Sequence, residues 1–152
     1  MAEAAAAAAT AAAAAGQEPV VRVRLVRAMD AGPADVLDAD GLLFATPENL
    51  AAMSGQMKDF FDRTYYAALD RLNGRPYATL ICAGSDGRNA AQQIERIAAG
   101  WRLKRIADPL IVCTHAQTPE DILRPKRIAP SDLAACGEVG AALACGLALG
   151  VY

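Results

Sequence analysis

Histidine is almost absent from this chain. His115 is the only one in 152 residues, and the four cysteines, Cys82, Cys113, Cys136 and Cys145, never form a CxxC pair. A zinc centre needs a tighter set of such ligands, so no metal site is expected. GxSxG, GxxxxGK[ST] and GxGxxG are all missing. Their absence removes the local signatures of a serine hydrolase elbow, a P-loop and a dinucleotide fingerprint. No other acid–base or nucleophilic constellation stands out, and His115 reads as a loop residue with no evident partner. Charge of one sign is also scarce: the net value is −2. No pull toward nucleic acid or an anionic membrane follows from that balance. The one basic cluster, Arg124-Pro125-Lys126-Arg127, is short and reads as a solvated loop.

Hydrophobic residues make up 54% of the chain and charged residues 21%, ordinary values for a globular protein. The length suits one domain, residues 1–152, with a real core. Cys82 and Cys113 lie inside apolar runs and read as small core residues. Free thiols of this kind suit a reducing compartment, and a cytoplasmic protein is expected.

Twelve of the first fifteen residues are alanine. Glu3 stands where a signal peptide would be positive, and the run is too short and too weakly apolar for a membrane span. Alanine is the best helix former, so residues 2–15 are expected to form a helix ended by Gly16. A helix this short is marginal alone and needs a surface to pack on.

Four strands are expected. Residues 20–26 (VVRVRLV) alternate, with Val21, Val23 and Leu25 opposite Arg22 and Arg24, as in an edge strand with one wet face. Residues 41–45 (GLLFA), 77–83 (YATLICA) and 109–113 (PLIVC) are continuous apolar runs, as in a parallel sheet covered on both faces. Helices are expected near 33–39, 54–66, 87–99 and 131–149, with a turn of helix at 119–123. Ser54 and Thr118 are N-cap candidates. Met53, Met57, Phe60, Phe61, Thr64 and Tyr65 share one stripe, read as core. The alternation predicts a doubly wound α/β sheet. Such domains open with a strand, because each helix is a crossover between parallel strands; here the first helix has none before it.

Ligands of open α/β sheets bind beyond the carboxyl ends of the strands. Two loops qualify. In the first, Thr46 and Pro47 set a turn, Glu48 and Asn49 offer polar groups, and Leu50 offers apolar contact. In the second, "CAGSDGRNA", Gly84 and Gly87 allow close backbone approach. Ser85, Asp86 and free helix amides there can bond a ligand. The alternative for both is a plain strand-to-helix turn with a capping Ser, Asp or Asn, and for the second loop the two readings stand even.

The stretch "ADGLLFATPENLAAMSGQMKDFFDRTYY", residues 39–66, resembles the flavodoxin-like family of flavin proteins. It is most similar to the NAD(P)H-dependent FMN and quinone reductase branch, including tryptophan-repressor-binding-protein-like quinone reductases. The matching residues are Ala39-Asp40-Gly41, Thr46-Pro47, Met53-Ser54-Gly55 and Lys58 through Asp62. "TLICAGSDGRNA" is similar to that family's second flavin loop, and the likeness extends over nearly residues 17–152. It implies strand order 2-1-3-4-5, with FMN at the switch point. Thr46, Pro47, Glu48, Asn49 and Leu50 would then line the ribityl chain and one side of the ring. Ala83, Gly84, Ser85, Asp86 and Gly87 would lie against its other edge. The implied reaction carries electrons from NAD(P)H to a quinone or another flavin, the protein supplying position and electrostatics.

Two departures follow. Neither loop holds an aromatic residue, so ring stacking is weak or comes from a partner subunit, and a homo-oligomer is expected. The Ser/Thr-rich loop that holds the FMN phosphate at a helix N-terminus in that family has no counterpart, and Thr10 sits mid-helix. The first strand is absent too. The expectation is a late start, with about fifteen to twenty residues upstream, a strand of about five or six plus a loop. FMN binding as written would be impaired. The alternatives are a shortened interaction or vestigial module without FMN and a one-electron carrier; a charge of −2 disfavours the carrier. Losing a central strand would leave buried backbone groups unpaired, at about 1–3 kcal/mol each, so the chain should be unstable, oligomeric or rearranged.

Overall fold

The computed structural model describes residues 1–15 and 21–152. Among these, α1 (Ala2–Ala15) comes first, then α2 (Pro33–Leu37), β1 (Leu42–Asn49), β2 (Ala52–Met53) and α3 (Gly55–Ala68). There follow β3 (Pro76–Ala83), α4 (Arg88–Gly100), β4 (Lys104–Arg105), β5 (Leu110–Cys113), α5 (Pro119–Leu123) and α6 (Pro130–Ala148). From α2 onward the expected alternation is present, and Ser54 and Thr118 do cap α3 and α5, accepting N–H bonds from Met57 and Asp121. The helix terminator expected at Gly16 lies outside the described residues.

β3 is the centre of the sheet. β1 runs parallel to it from Leu42 opposite Tyr77 to Pro47 opposite Cys82. β5 runs parallel on its other side, from Leu80 opposite Leu110 to Ala83 opposite Cys113. Two-residue β4 pairs with the start of β3, and β2 folds back antiparallel on the tip of β1. This is the flavodoxin-like doubly wound order for the strands at 41–45, 77–83 and 109–113.

Successive side chains of a strand point to opposite faces, which splits the core in two. On one face Phe44 and Ile81 pack with Phe60, Phe61, Ile94 and Trp101 from α3, α4 and the residue after α4. The rings interlock: Phe44–Phe61 centroids lie 5.2 Å apart, Phe61–Trp101 5.5 Å. The Trp101 indole N–H donates to the Tyr65 carbonyl at 3.0 Å. On the other face Leu43, Ala45 and Leu80 meet Ala5 of α1 and Cys136 of α6. The alanine helix thus has its surface. Gly140 lets α6 lie against it, since a Cβ there would stand 2.2 Å from the Ala5 carbonyl oxygen. α6, 19 residues long, is long and apolar enough to cross a membrane by length and composition; here it packs on α1 and β3.

One expected strand is not formed. Val20 lies outside the described residues, and residues 21–27 join no ladder. The predicted alternation survives in part: Val21 and Val23 are half-buried and Arg22 and Arg24 exposed, but Leu25 is also exposed. The physical reason is pairing. A strand needs a neighbour's backbone, and β1 spends residues 42–47 on β3 on its other side. Side chains hold the segment instead. Arg24 pairs with Asp35 at 2.6 Å, and Arg63 of α3 donates to the Ala31 and Ala28 carbonyls.

Candidate functional site

Both predicted loops lie at the carboxyl ends of β1 and β3, and one side chain joins them. Glu48, near the end of β1, accepts the Gly87 N–H through Oε2 at 2.8 Å. Gly87 is the N-cap of α4 and has no side chain to cap with. The Glu48 carboxylate therefore sits at the positive end of α4, where an anion is stabilised. Its second oxygen, Oε1, is buried and has no hydrogen-bond partner.

The first loop is rearranged from its sequence reading. Thr46 and Pro47 do not turn the chain; they stay in β1, and the turn falls at Leu50 and Ala51. These two residues have φ of 51° and 58°, a left-handed conformation uncommon for non-glycine residues. Neighbours hold it. Asn89 of α4 donates to the Ala51 carbonyl, and Gln93 one turn later accepts the Met53 N–H at 3.0 Å. Leu50 is 102% exposed and points out of the hairpin, and Asn49 is exposed. Thr46 is buried; its Oγ1 accepts the Ser54 N–H at 3.2 Å and lies 3.0 Å from Ser54 Oγ. Strand end and helix start are thus one network.

In the second loop the glycines serve the protein itself. A Cβ at Gly84 would stand 2.8 Å from the Ala116 carbonyl oxygen. Gly87 has φ of 82°, and a Cβ there would stand 2.5 Å from the Ile111 side chain. The close approach read from sequence is therefore to β5 and its following loop. Ser85 and Asp86 are exposed. Asp86 pairs with Arg88 at 2.6 Å, a bond that holds its carboxyl below the usual aspartate range. Ala83 is buried, and its carbonyl accepts the Thr114 N–H at 2.8 Å.

Beside Thr46 and Pro47 is a small cavity of about 180 Å³, lined also by Met1, Ala45, Leu80 and Cys82. Burial pushes the Cys82 thiol up, so it is a poor nucleophile. Among the described residues no group of His, Cys, Asp and Glu could hold a metal ion. The basic cluster is a loop, as expected, with Lys126 Nζ closing the end of α5 through the Asp121, Ile122 and Arg124 carbonyls.

Residues 27–117, more than half of the chain and both loops, match the family model for NADPH-dependent FMN reductase. The chain belongs to the NADPH-dependent FMN reductase family. No curated protein matches it. Among solved structures it is similar to an oxidoreductase from Corynebacterium diphtheriae, with TM-score 0.68 and 19% identity over 97% of this chain and 86% of that one. A flavodoxin, WrbA-like protein from Agrobacterium tumefaciens has TM-score 0.59 and 18% identity over 98% and 90%. An NADPH-quinone reductase from P. pentosaceus has 0.56 and 15% over 90% and 88%. These likenesses establish a flavodoxin-like fold.

Family membership makes FMN the group to test against the residues present. The FMN ring carries an imide N–H, and the orphaned, buried Glu48 Oε1 is an acceptor in need of such a donor. The phosphate end is different. The start of α1 reaches the loops through Met1, but its first turn carries Glu3. Its one hydroxyl, Thr10 Oγ1, donates to the Ala6 carbonyl at 2.8 Å. Among the described residues, Glu48 offers the ring an acceptor, and α1 offers a phosphate neither a free hydroxyl nor an uncharged first turn. A sequence reading could name Glu48; it missed Asn89 and Gln93, since nothing local says which hairpin an exposed helix face will meet.

Proposed function

We propose that this chain is an FMN-associated oxidoreductase that moves electrons from NAD(P)H to a quinone or flavin acceptor, with the flavin ring held between the two joined loops. The observation that carries the reading is the buried, unpaired Glu48 Oε1 between them. Thr46, Pro47, Glu48, Asn49 and Leu50 form one wall; Ala83, Gly84, Ser85, Asp86 and Gly87 form the other. FMN, when bound, would supply the redox chemistry between nicotinamide and acceptor. The protein's part is to hold the ring. Glu48 accepts from it while its other oxygen stays on Gly87, so the acceptor cannot swing away. Asn89 and Gln93 keep the Leu50–Ala51 turn in place. The 180 Å³ cavity is smaller than the roughly 300–1,000 Å³ of ordinary ligand pockets. The two loops would therefore hold the ring in the open, where a second copy of the chain would cover it, in keeping with the absence of a stacking aromatic. The proposed setting is the cytoplasm.

The test is a pair of titrations followed by flavin fluorescence. With a ring site and no phosphate site, FMN and riboflavin bind the purified chain with about equal affinity. Glu48→Ala weakens both alike, while NAD(P)H oxidation with a quinone acceptor reads the activity. FMN binding far more tightly than riboflavin would reveal a phosphate site these residues do not provide. Failure of both flavins to bind would leave the chain a cofactor-free module, the reading favoured by the phosphate end.

A further inference from the structure

The basic run Arg124-Pro125-Lys126-Arg127 has no part in holding the ring, yet the fold brings it to the same end of the sheet. Residues 114–129 leave the carboxyl end of β5 and enter α6 at Pro130. The first of them lie on the second loop. The Thr114 N–H donates to the Ala83 carbonyl at 2.8 Å, and a Cβ on Gly84 would stand 2.8 Å from the Ala116 carbonyl oxygen. The later ones come near enough to the end of β3 for the Lys126 charge to bear on the Cys82 thiol. Cys82 in turn lines the small cavity with Thr46 and Pro47. Within the run the three cations differ. Lys126 is spent: its Nζ donates to the Asp121, Ile122 and Arg124 carbonyls at 2.5, 2.7 and 2.8 Å, which uses all three ammonium donors. Arg124 is 70% exposed and has one long contact, 3.7 Å to Asp121. Arg127 is exposed and forms no ion pair among the described residues. The Asp121 carboxylate already accepts from the Thr118 hydroxyl at 3.0 Å.

We propose that Arg124 and Arg127 hold the ribose 2′-phosphate of NADPH and so set the choice of nicotinamide donor. The proposal rests on the flavin reading above, which brings NAD(P)H to this end of the sheet. NADPH and NADH differ by that one phosphate monoester, a group of about −2 charge with three strong acceptor oxygens. A guanidinium meets such oxygens two at a time in a fixed fork, and an arginine is the residue that accommodates this phosphate in dinucleotide sites. Two of them here leave about ten N–H donors with little to bond. The backbone between them is already fixed. Pro125 locks its own φ, and Lys126 ties the run to the end of α5, so less chain order is lost when an anion arrives. Nucleic acid is the weaker match. A strand needs a cationic groove that follows successive phosphates, whereas this run has two free cations on a chain of net charge −2. The flavin's own phosphate has the same chemistry, and the titrations below separate the two sources.

The test compares the full chain with the double variant Arg124→Ala/Arg127→Ala. The first arm needs no flavin: adenosine 2′,5′-bisphosphate and adenosine 5′-monophosphate are titrated by calorimetry. The bisphosphate should bind about tenfold more tightly or better, and the double variant should lose that ratio. The second arm follows oxidation of NADPH and of NADH with added FMN and 1,4-benzoquinone. The double variant should raise the KM for NADPH about tenfold and that for NADH about twofold at most, with Arg127→Lys in between, since an ammonium keeps the charge and loses the fork. The third arm titrates FMN and riboflavin, whose ratio of affinities the double variant should not change. Equal binding of the two adenosine nucleotides to the full chain would overturn the proposal, as would equal KM changes for the two donors. A loss of FMN affinity with riboflavin unaffected would also overturn it, in favour of the flavin phosphate at these arginines. Absence of any NAD(P)H oxidation would refute the flavin reading instead, and the adenosine titration would then decide this proposal alone.

Discussion

Two glycines in α6 make the packing of the alanine helix measurable. Each sits mid-helix, and replacing either by alanine gains about 0.8–1 kcal/mol of helix propensity. Their surroundings differ. At Gly140 a Cβ would stand 2.2 Å from the Ala5 carbonyl oxygen and 2.8 Å from its carbon. Backbone cannot swing aside, and overpacking of this kind costs typically about 1–3 kcal/mol, at times more. At Gly137 the nearest atom is the Ala8 Cβ at 3.2 Å, and a shift of a few tenths of an ångström relieves it. Gly137→Ala is therefore expected to be neutral or up to about 1 kcal/mol more stable. Gly140→Ala is expected to be about 1–2 kcal/mol less stable, or to displace α1. A gap of about 2 kcal/mol is about 4–8 °C in Tm for a chain of this size, well within reach of thermal melts followed by circular dichroism. If Gly140→Ala melts at or above Gly137→Ala, α1 does not lie on α6 as described.

Other substitutions test the elements that position the loops. Ser54→Ala removes the cap of α3 and one partner of Thr46, and should cost about 1–2 kcal/mol in urea unfolding; a change below the error of the fit would show the network to be incidental. Asp35 accepts the Gly32 N–H and pairs with Arg24, which together hold its carboxyl below its ordinary value of 3.8 against the effect of burial. A lowered folded pKa stabilises above the unfolded value and loses that contribution as pH falls through the folded one. Asp35→Asn should therefore flatten the acid side of the stability curve, and parallel curves for the two proteins would contradict this.

Most of the fold was legible because its signals are local. Continuous apolar runs named β1, β3 and β5, and the Met–Phe stripe named the buried face of α3. The loops were only half legible. That 46–50 and 83–87 are neighbours follows from parallel pairing of β1 with β3, but the bond that joins them depends on where a carboxylate two residues past a buried threonine points. The turn was misplaced by four residues, from 46–47 to 50–51, because Pro47 looks like a turn former. Here it ends the pairing with β3, beyond which its missing N–H breaks no ladder. The left-handed Leu50 and Ala51 carry no glycine or asparagine to announce them; they are held by Asn89 and by the β2 hairpin, contacts made across the fold.

The strand that failed shows what an alternating sequence cannot supply. Alternation at Val21 and Val23 is a property of seven residues, whereas a ladder needs a second backbone within about 5 Å. Among the described residues, 21–27 find none, because β1 gives its residues 42–47 to β3. The segment is held by side chains instead, by Arg24 on Asp35 and by Arg63 on the Ala28 and Ala31 carbonyls.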